Sequence, residues 1–417
     1  MKALRRERYK LSLEAQLQGG LCVTGFAWEF LALLAGFGNF GNPSPGASFT
    51  RIAREGTGDE GLAKYVALAE SKGLMPVCGA IGAHLGQVYA SISDEDPKRM
   101  RVRPDFVFQP GGCHALIKGA QVTADVLGIP MLPIDLPYKT TERTRDYLFS
   151  QLGDAIEWIE KRTKKKFDDE RFIEATQNSI RSMVLWSRTC EFMKTVPAPM
   201  TYRQAMSLRL PLVTYSYSKK TSEYMEALYA EMERRVRDGI AGTPVEKKRL
   251  IHQGVHPLYK PEILSWPEAY GATFVQGGLF SAFGAWRHTE DGHTIAARTP
   301  EEQGIALRTR QDALQALVDV YLPLEGEIGD FTEKRRIYYL IRMAQDWHVD
   351  GVMLHLARRC AELTGSVGAI KSDLREAGIA LGTYEASEAD PKEFDERRVR
   401  EEFAVFLEGL GLTRIKP

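Results

Sequence analysis

The stretch DFVFQPGGCHALIKGAQVTADVLGIPMLPI (residues 105–134) has the pattern of a strand, a turn, a helix and a second strand. Asp105–Phe108 predicts a short buried strand, and the Pro and Gly residues of Gln109–Gly112 predict a turn. His114–Leu127 predicts a helix, and Met131–Ile134 predicts the next strand. Strand, crossover helix and strand in this order are typical of a parallel sheet in an α/β protein.

The same alternation returns after a long helical segment. The later strands are predicted at Arg249–His252, Ala272–Val275, Gly351–Leu356 and Ile379–Tyr384, and the later helices at Lys260–Tyr270, Thr332–Gln345, a segment ending at Glu376, and Glu396–Leu410. Between the two α/β parts, Arg145–Arg162 and Tyr224–Arg237 have apolar residues at helical spacing. We therefore expect an α/β fold with two Rossmann-like parallel-sheet lobes joined by a helical segment. The expected domains are 1–140 (a helical and loop-rich start with the first lobe), 141–247 (mainly helical) and 248–417 (the second lobe).

Composition and charge exclude several classes of protein. Of the 417 residues, 44% are hydrophobic and 26% charged, which is typical of a globular chain. The 55 basic and 55 acidic residues cancel, so no nucleic-acid partner is indicated. The first apolar stretch, Phe26–Phe37, is interrupted by Glu29 and Gly36, which argues against a signal peptide or membrane span. We expect a cytoplasmic protein with reduced thiols and no membrane partner.

Three of the five cysteines lie where a parallel sheet places ligands. Cys113 and Cys360 each follow a predicted strand and precede a helix, and Cys78 follows another short apolar run. The positive end of a helix dipole favours a thiolate there. The three thiols could converge to hold one iron–sulfur cluster, whereas a zinc site would usually have closer ligand pairs. The alternative is that they are small buried apolar residues, the role we favour for Cys22 and Cys190.

Few other side chains suggest chemistry. His84, His114 and His355 lie near the three cysteines and are candidate proton donors, although histidines in such positions more often have packing or supporting roles. Trp28 and Glu29 could line a substrate pocket, or could belong to a partly buried amphipathic helix. Neither a dinucleotide-binding Gly fingerprint nor a phosphate-binding loop for ATP is present, so we expect no ATP on this chain.

Around these residues the sequence resembles the 2-hydroxyacyl-CoA dehydratase and benzoyl-CoA reductase superfamily. The interval from Cys78 to Cys113 is similar to that between the family's first two cluster ligands, and Cys360 is similar to the third. Further similar segments are Asp350–His355, Arg358–Cys360, Tyr384–Ser387, Asp390–Pro391 and Phe394. Other segments resemble the substrate- and cluster-binding (B-type) subunits of ATP-dependent, class I benzoyl-CoA reductase: Leu136–Tyr138, Arg145–Tyr147 and Lys166–Arg171.

The resemblance implies a [4Fe-4S] cluster held by Cys78, Cys113 and Cys360, with an open or non-Cys fourth position. It also implies a homologous second cluster-binding subunit, ATP-hydrolysing iron–sulfur activator subunits, and ferredoxin as the upstream electron donor. The substrate would be an aryl-CoA, reduced to a cyclic dienoyl-CoA in the anaerobic degradation of aromatic compounds. Two other functions stay open: a subunit of a 2-hydroxyacyl-CoA dehydratase, and a non-catalytic two-lobed protein that binds a metal or cluster.

Overall fold

The structure is a computed structural model, and the residues that it describes form eleven ranges. These are 14–25, 30–41, 58–74, 78–92, 103–111, 113–137, 139–277, 283–289, 293–328, 333–360 and 367–415.

Ten strands and thirteen α-helices have defined bounds within these ranges. The strands are β1 Leu21–Thr24, β2 Phe40–Gly41, β3 Phe106–Pro110, β4 Met131–Ile134, β5 Lys248–Gln253, β6 Ala272–Gly277, β7 Trp286–His288, β8 Thr294–Ala296, β9 Gly351–Ala357 and β10 Ala380–Ala386. The helices are α1 Leu31–Ala35, α2 Gly58–Ser71, α3 Gly79–Ile92, α4 His114–Leu127, α5 Glu142–Thr163, α6 Asp169–Glu191, α7 Tyr202–Leu208, α8 Leu210–Tyr215, α9 Lys219–Arg237, α10 Arg310–Ile328, α11 Glu333–Asp346, α12 Val367–Glu376 and α13 Glu396–Gly409. Short 3-10 helices are Phe192–Lys194, Pro261–Tyr270, Glu301–Gln303 and Pro391–Glu393.

The first sheet contains four parallel strands in the order β2-β1-β3-β4. Every residue of β1 and β3 is buried, which explains why their sequences do not alternate between apolar and polar residues. Strand β3 extends through Pro110, two residues beyond the expected strand, because Gln109 and Pro110 still pair with Pro133 and Ile134. Strand β1 lies in a segment expected to be helical and loop-rich, and four buried residues give no periodicity from which it could be predicted.

The second sheet also contains four parallel strands, in the order β10-β9-β5-β6. The expectation of an α/β fold with two parallel-sheet lobes is therefore confirmed. The predicted helix at Lys260–Tyr270 is a 3-10 helix that begins at Pro261 and contains Pro267, whose ring would clash with the Ile263 carbonyl in an α-helix. Gly271 then ends it with a positive φ of 76°.

Four of the helices between the sheets, α5, α6, α7 and α9, begin at side chains that cap them. Thr141 and Thr144 form a reciprocal capping box at α5, and Asp168 accepts a hydrogen bond from the Arg171 N–H at the start of α6. The buried face of α5 carries Leu148, Leu152, Ala155, Ile156 and Ile159, at the spacing of one helical face, and joins the main core. None of the helices in the described ranges is long and apolar enough to cross a membrane.

Candidate functional site

Cys78 lies at the start of α3, where it contacts the far end of the chain. Its thiol donates a hydrogen bond to Oε2 of Glu388 over 3.2 Å. The next residue, Gly79, allows the helix to approach closely, since a Cβ there would lie 2.5 Å from Oγ of Ser387. The start of α3 in the first lobe therefore packs directly against the segment after β10 in the second lobe.

Cys113 is the N-cap residue of α4, with extended backbone angles (φ −72°, ψ 155°) and no side-chain capping bond. Its side chain packs against the same small apolar cluster as that of Cys78. The buried members of this cluster are Ala69, Ile81, Leu85 and Ala115. The first two cysteines of the predicted set are thus brought to one place by the packing of α3 against α4.

Cys360 follows β9 through a tight turn. Arg359 there has a positive φ of 65°, which is unfavourable for a residue with a side chain. Two ion pairs stabilise this conformation, at 3.0 Å to Glu70 on α2 and at 2.7 Å to Glu393. Cys360 is close enough to Cys78 for its charge to raise the pKa of that thiol. All three cysteines therefore lie in one region between the lobes.

The environment of Cys78 favours the neutral thiol. Burial raises its pKa well above the ordinary value of 9.0, and the charges of Glu388 and Cys360 raise it further. A thiolate at this position therefore needs a compensating cation. Bound iron supplies such a charge, because metal-bound thiols are deprotonated.

The chemistry of the three thiols is that of iron–sulfur ligands. Within the described ranges, no three Cys, His, Asp or Glu side chains are grouped closely enough to hold one metal ion. A [4Fe-4S] cluster takes each thiolate at a different iron, so its ligands stand further apart than those of one ion. Thiolates are also the soft donors that iron–sulfur clusters prefer. Chemically, the donor set Cys78, Cys113 and Cys360 fits the implied cluster.

The three candidate histidines have different surroundings. His114 is exposed. His84 is buried, with Nε2 3.0 Å from Oγ1 of Thr123, and burial lowers its pKa to about 4. His355 contacts the Val255 carbonyl through Nδ1 and the Ala386 carbonyl, at 3.0 Å, through Nε2; burial lowers its pKa to about 4, although both carbonyls raise it. A proton-donor role for each histidine stays a prediction. Trp28 and Glu29 lie outside the described residues.

The structure adds Glu388 to this site, which was not predicted from the sequence. Its side chain is buried, and burial raises its pKa while the hydrogen bond from Cys78 lowers it. The residue lies between two segments of the tail that carry the family resemblance, Tyr384–Ser387 and Asp390–Pro391. One acidic residue in a charged tail gave no signal of its own, because its burial depends on contacts with α3.

Comparison with known proteins assigns the class. The family model for the 2-hydroxyglutaryl-CoA dehydratase D-component matches residues 60–410. The chain therefore belongs to this family. This range includes all three cysteines and Glu388.

Characterised relatives are similar at low identity. The α subunit of (R)-2-hydroxyglutaryl-CoA dehydratase from Acidaminococcus fermentans is 26% identical over 305 residues, covering 70% of this chain and 57% of the relative. The chain thus matches less than two thirds of that protein's length. The α subunit of (R)-phenyllactyl-CoA dehydratase from Clostridium sporogenes is 24% identical, covering 77% of this chain and 73% of the relative. The α subunit of lactoyl-CoA dehydratase from Anaerotignum propionicum is 23% identical, covering 70% of this chain and 65% of the relative.

Proposed function

We propose that this chain is a cluster-binding subunit of a 2-hydroxyacyl-CoA dehydratase, which removes water from a 2-hydroxyacyl-CoA thioester. The observation that supports the proposal is that Cys78 packs on the same cluster as Cys113 and lies near Cys360, in a chain of the dehydratase D-component family. Since the relatives compared above are dehydratase subunits, dehydration replaces the aryl-CoA reduction favoured by the sequence alone. Reduction remains the second candidate, because Leu136–Tyr138 and Arg145–Tyr147 resemble reductase subunits.

In this proposal Cys78, Cys113 and Cys360 hold a [4Fe-4S] cluster. When bound, the cluster would supply a Lewis-acidic iron and a site for one electron. Glu388 keeps an acceptor beside the Cys78 sulfur and, with the neighbouring segment, covers this side of the site from water. His84 and His355 are neutral at neutral pH because their pKa values are lowered to about 4. The chain's own contribution is thus a site that Glu388 covers on one side, with two buried, neutral histidines nearby.

We also propose partners for the chain. The characterised relatives are named as α subunits, which supports a heteromeric assembly with a second, homologous subunit. ATP-hydrolysing activator subunits and ferredoxin would supply the electron, since this chain has no phosphate-binding loop. A cytoplasmic location stays a prediction.

The cluster is tested by measuring iron, sulfide and low-temperature EPR on anaerobically purified protein. We expect about four irons per chain, lost in Cys78→Ala, Cys113→Ala and Cys360→Ala. The matched controls are Cys22→Ala and Cys190→Ala, because those buried cysteines lie outside the site and should leave the iron content unchanged. Iron-free wild-type protein after attempted reconstitution would contradict the proposal.

The reaction is tested by turnover of the assembled complex, with the partner and activator subunits present. We expect activity with a 2-hydroxyacyl-CoA and none with benzoyl-CoA. Activity with benzoyl-CoA alone would favour the reductase. An iron signal that does not respond to either thioester would favour a non-catalytic cluster-binding protein.

A further inference from the structure

Arg359 occupies a turn position that usually holds a glycine. The turn follows β9 and is closed by the Cys360 N–H, which donates to the Ala357 carbonyl at 3.2 Å. Arg359 is the third residue of this turn and has a φ of 65°. A positive φ at that position favours Gly or Asn, because a Cβ then crowds the backbone. The arginine is therefore held in a conformation that its own backbone disfavours.

The side chain of Arg359 joins the two lobes. Nη1 donates to Oε1 of Glu70 at 3.0 Å, and Nη2 donates to Oε1 of Glu393 at 2.7 Å. Glu70 lies on α2, which packs closely against α3, the helix that begins beside Cys78. Glu393 lies in the tail that follows β10. We call Arg359, Glu70 and Glu393 the clamp, since one guanidinium connects the turn to both lobes.

The preceding arginine has partners of a different kind. The Arg358 N–H donates to the Ala386 carbonyl at 2.9 Å, and its Nε donates to Oε1 of Glu385 at 2.9 Å. Both partners belong to β10, which is paired with β9 in the second sheet. The two arginines of one turn thus differ: Arg358 binds within the second lobe, whereas Arg359 reaches the first.

The position of the clamp suggests what it does. Strained backbone conformations persist only where surrounding contacts maintain them, and they cluster at functional sites. The residue after Arg359 is Cys360, a proposed cluster ligand. The side chains of Arg359 and Glu70 are 31% and 40% exposed, and pairs as exposed as this contribute little to the free energy of unfolding. The specific effect of the clamp is therefore to fix Cys360 relative to the first lobe.

We propose that Arg359 is a positioning residue, whose clamp holds Cys360 against the first lobe and thereby retains the iron–sulfur cluster. The inference rests on the proposed function, which supplies the cluster. Each thiolate binds a different iron, so thiolates from two lobes share one cluster only while their separations are fixed. When the clamp opens, Cys360 moves away from Cys78 and Cys113, and water reaches the iron.

Retention is tested by measuring anaerobic release of iron to a colorimetric chelator from the reconstituted full-length chain. Arg359→Gly separates backbone from side chain, because glycine adopts the positive φ without strain but cannot form the clamp. We expect this variant to release iron at least about fivefold faster than wild type, since two ion pairs are lost. Arg359→Lys should have an intermediate rate, because lysine keeps the charge without the planar fork that reaches both carboxylates.

The matched control is Arg358→Gln, which removes an arginine from the same turn and should release iron at the wild-type rate. Glu70→Gln removes only the carboxylate of the first lobe and should resemble Arg359→Gly. Added salt should accelerate release from wild type and from Arg358→Gln, because it screens the ion pairs of the clamp, and should have little effect on Arg359→Gly. Thermal unfolding midpoints should stay close to that of the wild type in all variants.

A second measurement needs no iron. A short reagent that links two thiols is added to iron-free protein, and mass spectrometry quantifies the peptides that join Cys360 to Cys78 or Cys113. We expect these crosslinks to decrease several-fold in Arg359→Gly and to be unchanged in Arg358→Gln. Alkylation by a reagent for single thiols corrects for differences in the reactivity of each cysteine.

Three results would overturn the positioning role. These are wild-type iron release and crosslinking in Arg359→Gly, equal effects in Arg358→Gln, and a large fall in the melting temperature of Arg359→Gly. The last would mean that the arginine stabilises the whole fold rather than one turn. Iron-free wild-type protein would reject the proposed cluster instead, and a loss of crosslinks in that same protein would still support the positioning of Cys360 by Arg359.

Discussion

Two buried arginines near opposite ends of β5 differ in their hydrogen-bond partners. Near the amino end, Arg249 forms an ion pair with Glu246 and donates to the carbonyls of Trp347 at 2.9 Å and Thr195 at 3.0 Å. Near the carboxyl end, Nε and Nη1 of Arg209 have no hydrogen-bond partner among the described residues. Both side chains are less than a tenth exposed, so solvent does not explain the difference.

The comparison shows that two equally buried arginines differ in how far the described residues satisfy their hydrogen-bonding groups. Arg249 also contacts the Met193 carbonyl, so its cationic group connects β5 to the 3-10 helix Phe192–Lys194 and to the end of α11. These contacts satisfy the charge within the chain itself. Arg209 lacks such contacts at two of its nitrogens among the described residues. It lies at the edge of the sheet where ligands of parallel sheets bind.

The largest expected effect is the loss of stability on replacing Arg249, the arginine whose charge is paired within the chain. Arg249→Met leaves the Glu246 carboxylate and several backbone carbonyls buried without their cation, which should lower the free energy of unfolding by about 3–5 kcal/mol. The measurement is urea denaturation of the full chain. Arg209→Met is the control and should change stability by less than about 1 kcal/mol, or increase it. Equal losses in the two variants would contradict the comparison.

The second expected effect is on the free energy of unfolding at acidic pH. His256 has a pKa of about 3 in the folded chain and about 6.5 when unfolded, so only the unfolded chain takes up its proton between these values. The free energy of unfolding therefore falls as the pH decreases through this window. His256→Gln should make that slope shallower by about 1.4 kcal/mol per pH unit.

Arg209, His252 and His355 surround His256 electrostatically and remain in the variant. Unfolding curves between pH 6 and pH 4, roughly the middle of that window, provide the measurement. Replacing the exposed His114 by Gln is the control. Parallel pH profiles for wild type and His256→Gln would show that His256 is protonated in the folded chain, and Arg209 would then face a second positive charge.

The smallest expected effect is at Glu388, a third buried charged group. Its charge contributes to the raised pKa of Cys78, so Glu388→Gln should lower that pKa while keeping an oxygen that accepts from the thiol. In iron-free protein we expect alkylation of Cys78 to become several-fold faster, because the thiolate is the reactive form. Mass spectrometry of the Cys78 peptide measures the rate.

Glu385→Gln is the matched control for this effect, since Glu385 pairs with Arg358 and Arg398 rather than with a thiol. An unchanged Cys78 rate in Glu388→Gln would mean that burial alone suppresses its reactivity. Faster alkylation in both variants would indicate a general loosening of the tail rather than a local charge effect.

The sequence predicted the two parallel sheets better than it predicted which polar side chains are buried. Most strands and helices followed from apolar runs, turn residues and helical spacing, all of which are local. Cys113 and Cys360 were recognisable because each follows a strand and precedes a helix. The predicted cluster ligands and the three-domain division are still predictions, although the cysteines do lie in one region.

What escaped prediction depends on contacts between distant segments. Arg209 is flanked by Leu208 and Leu210, but the sequence alone does not show whether its guanidinium reaches solvent or remains buried. Strand β1 is too short and too uniformly buried to give a pattern. His252 ends a predicted strand, yet its hydrogen bond to the Tyr384 hydroxyl at 2.7 Å requires the β5-β9-β10 pairing.

The hydrogen bond between Cys78 and Glu388 joins residues 310 positions apart. At cellular rates of translation, roughly 15–60 s separate the synthesis of the thiol from that of its carboxylate partner. During that interval the nascent chain carries Cys78 and Cys113 before Cys360 and the covering tail exist. Cys360 and the covering tail are therefore the last parts of this site to be synthesised.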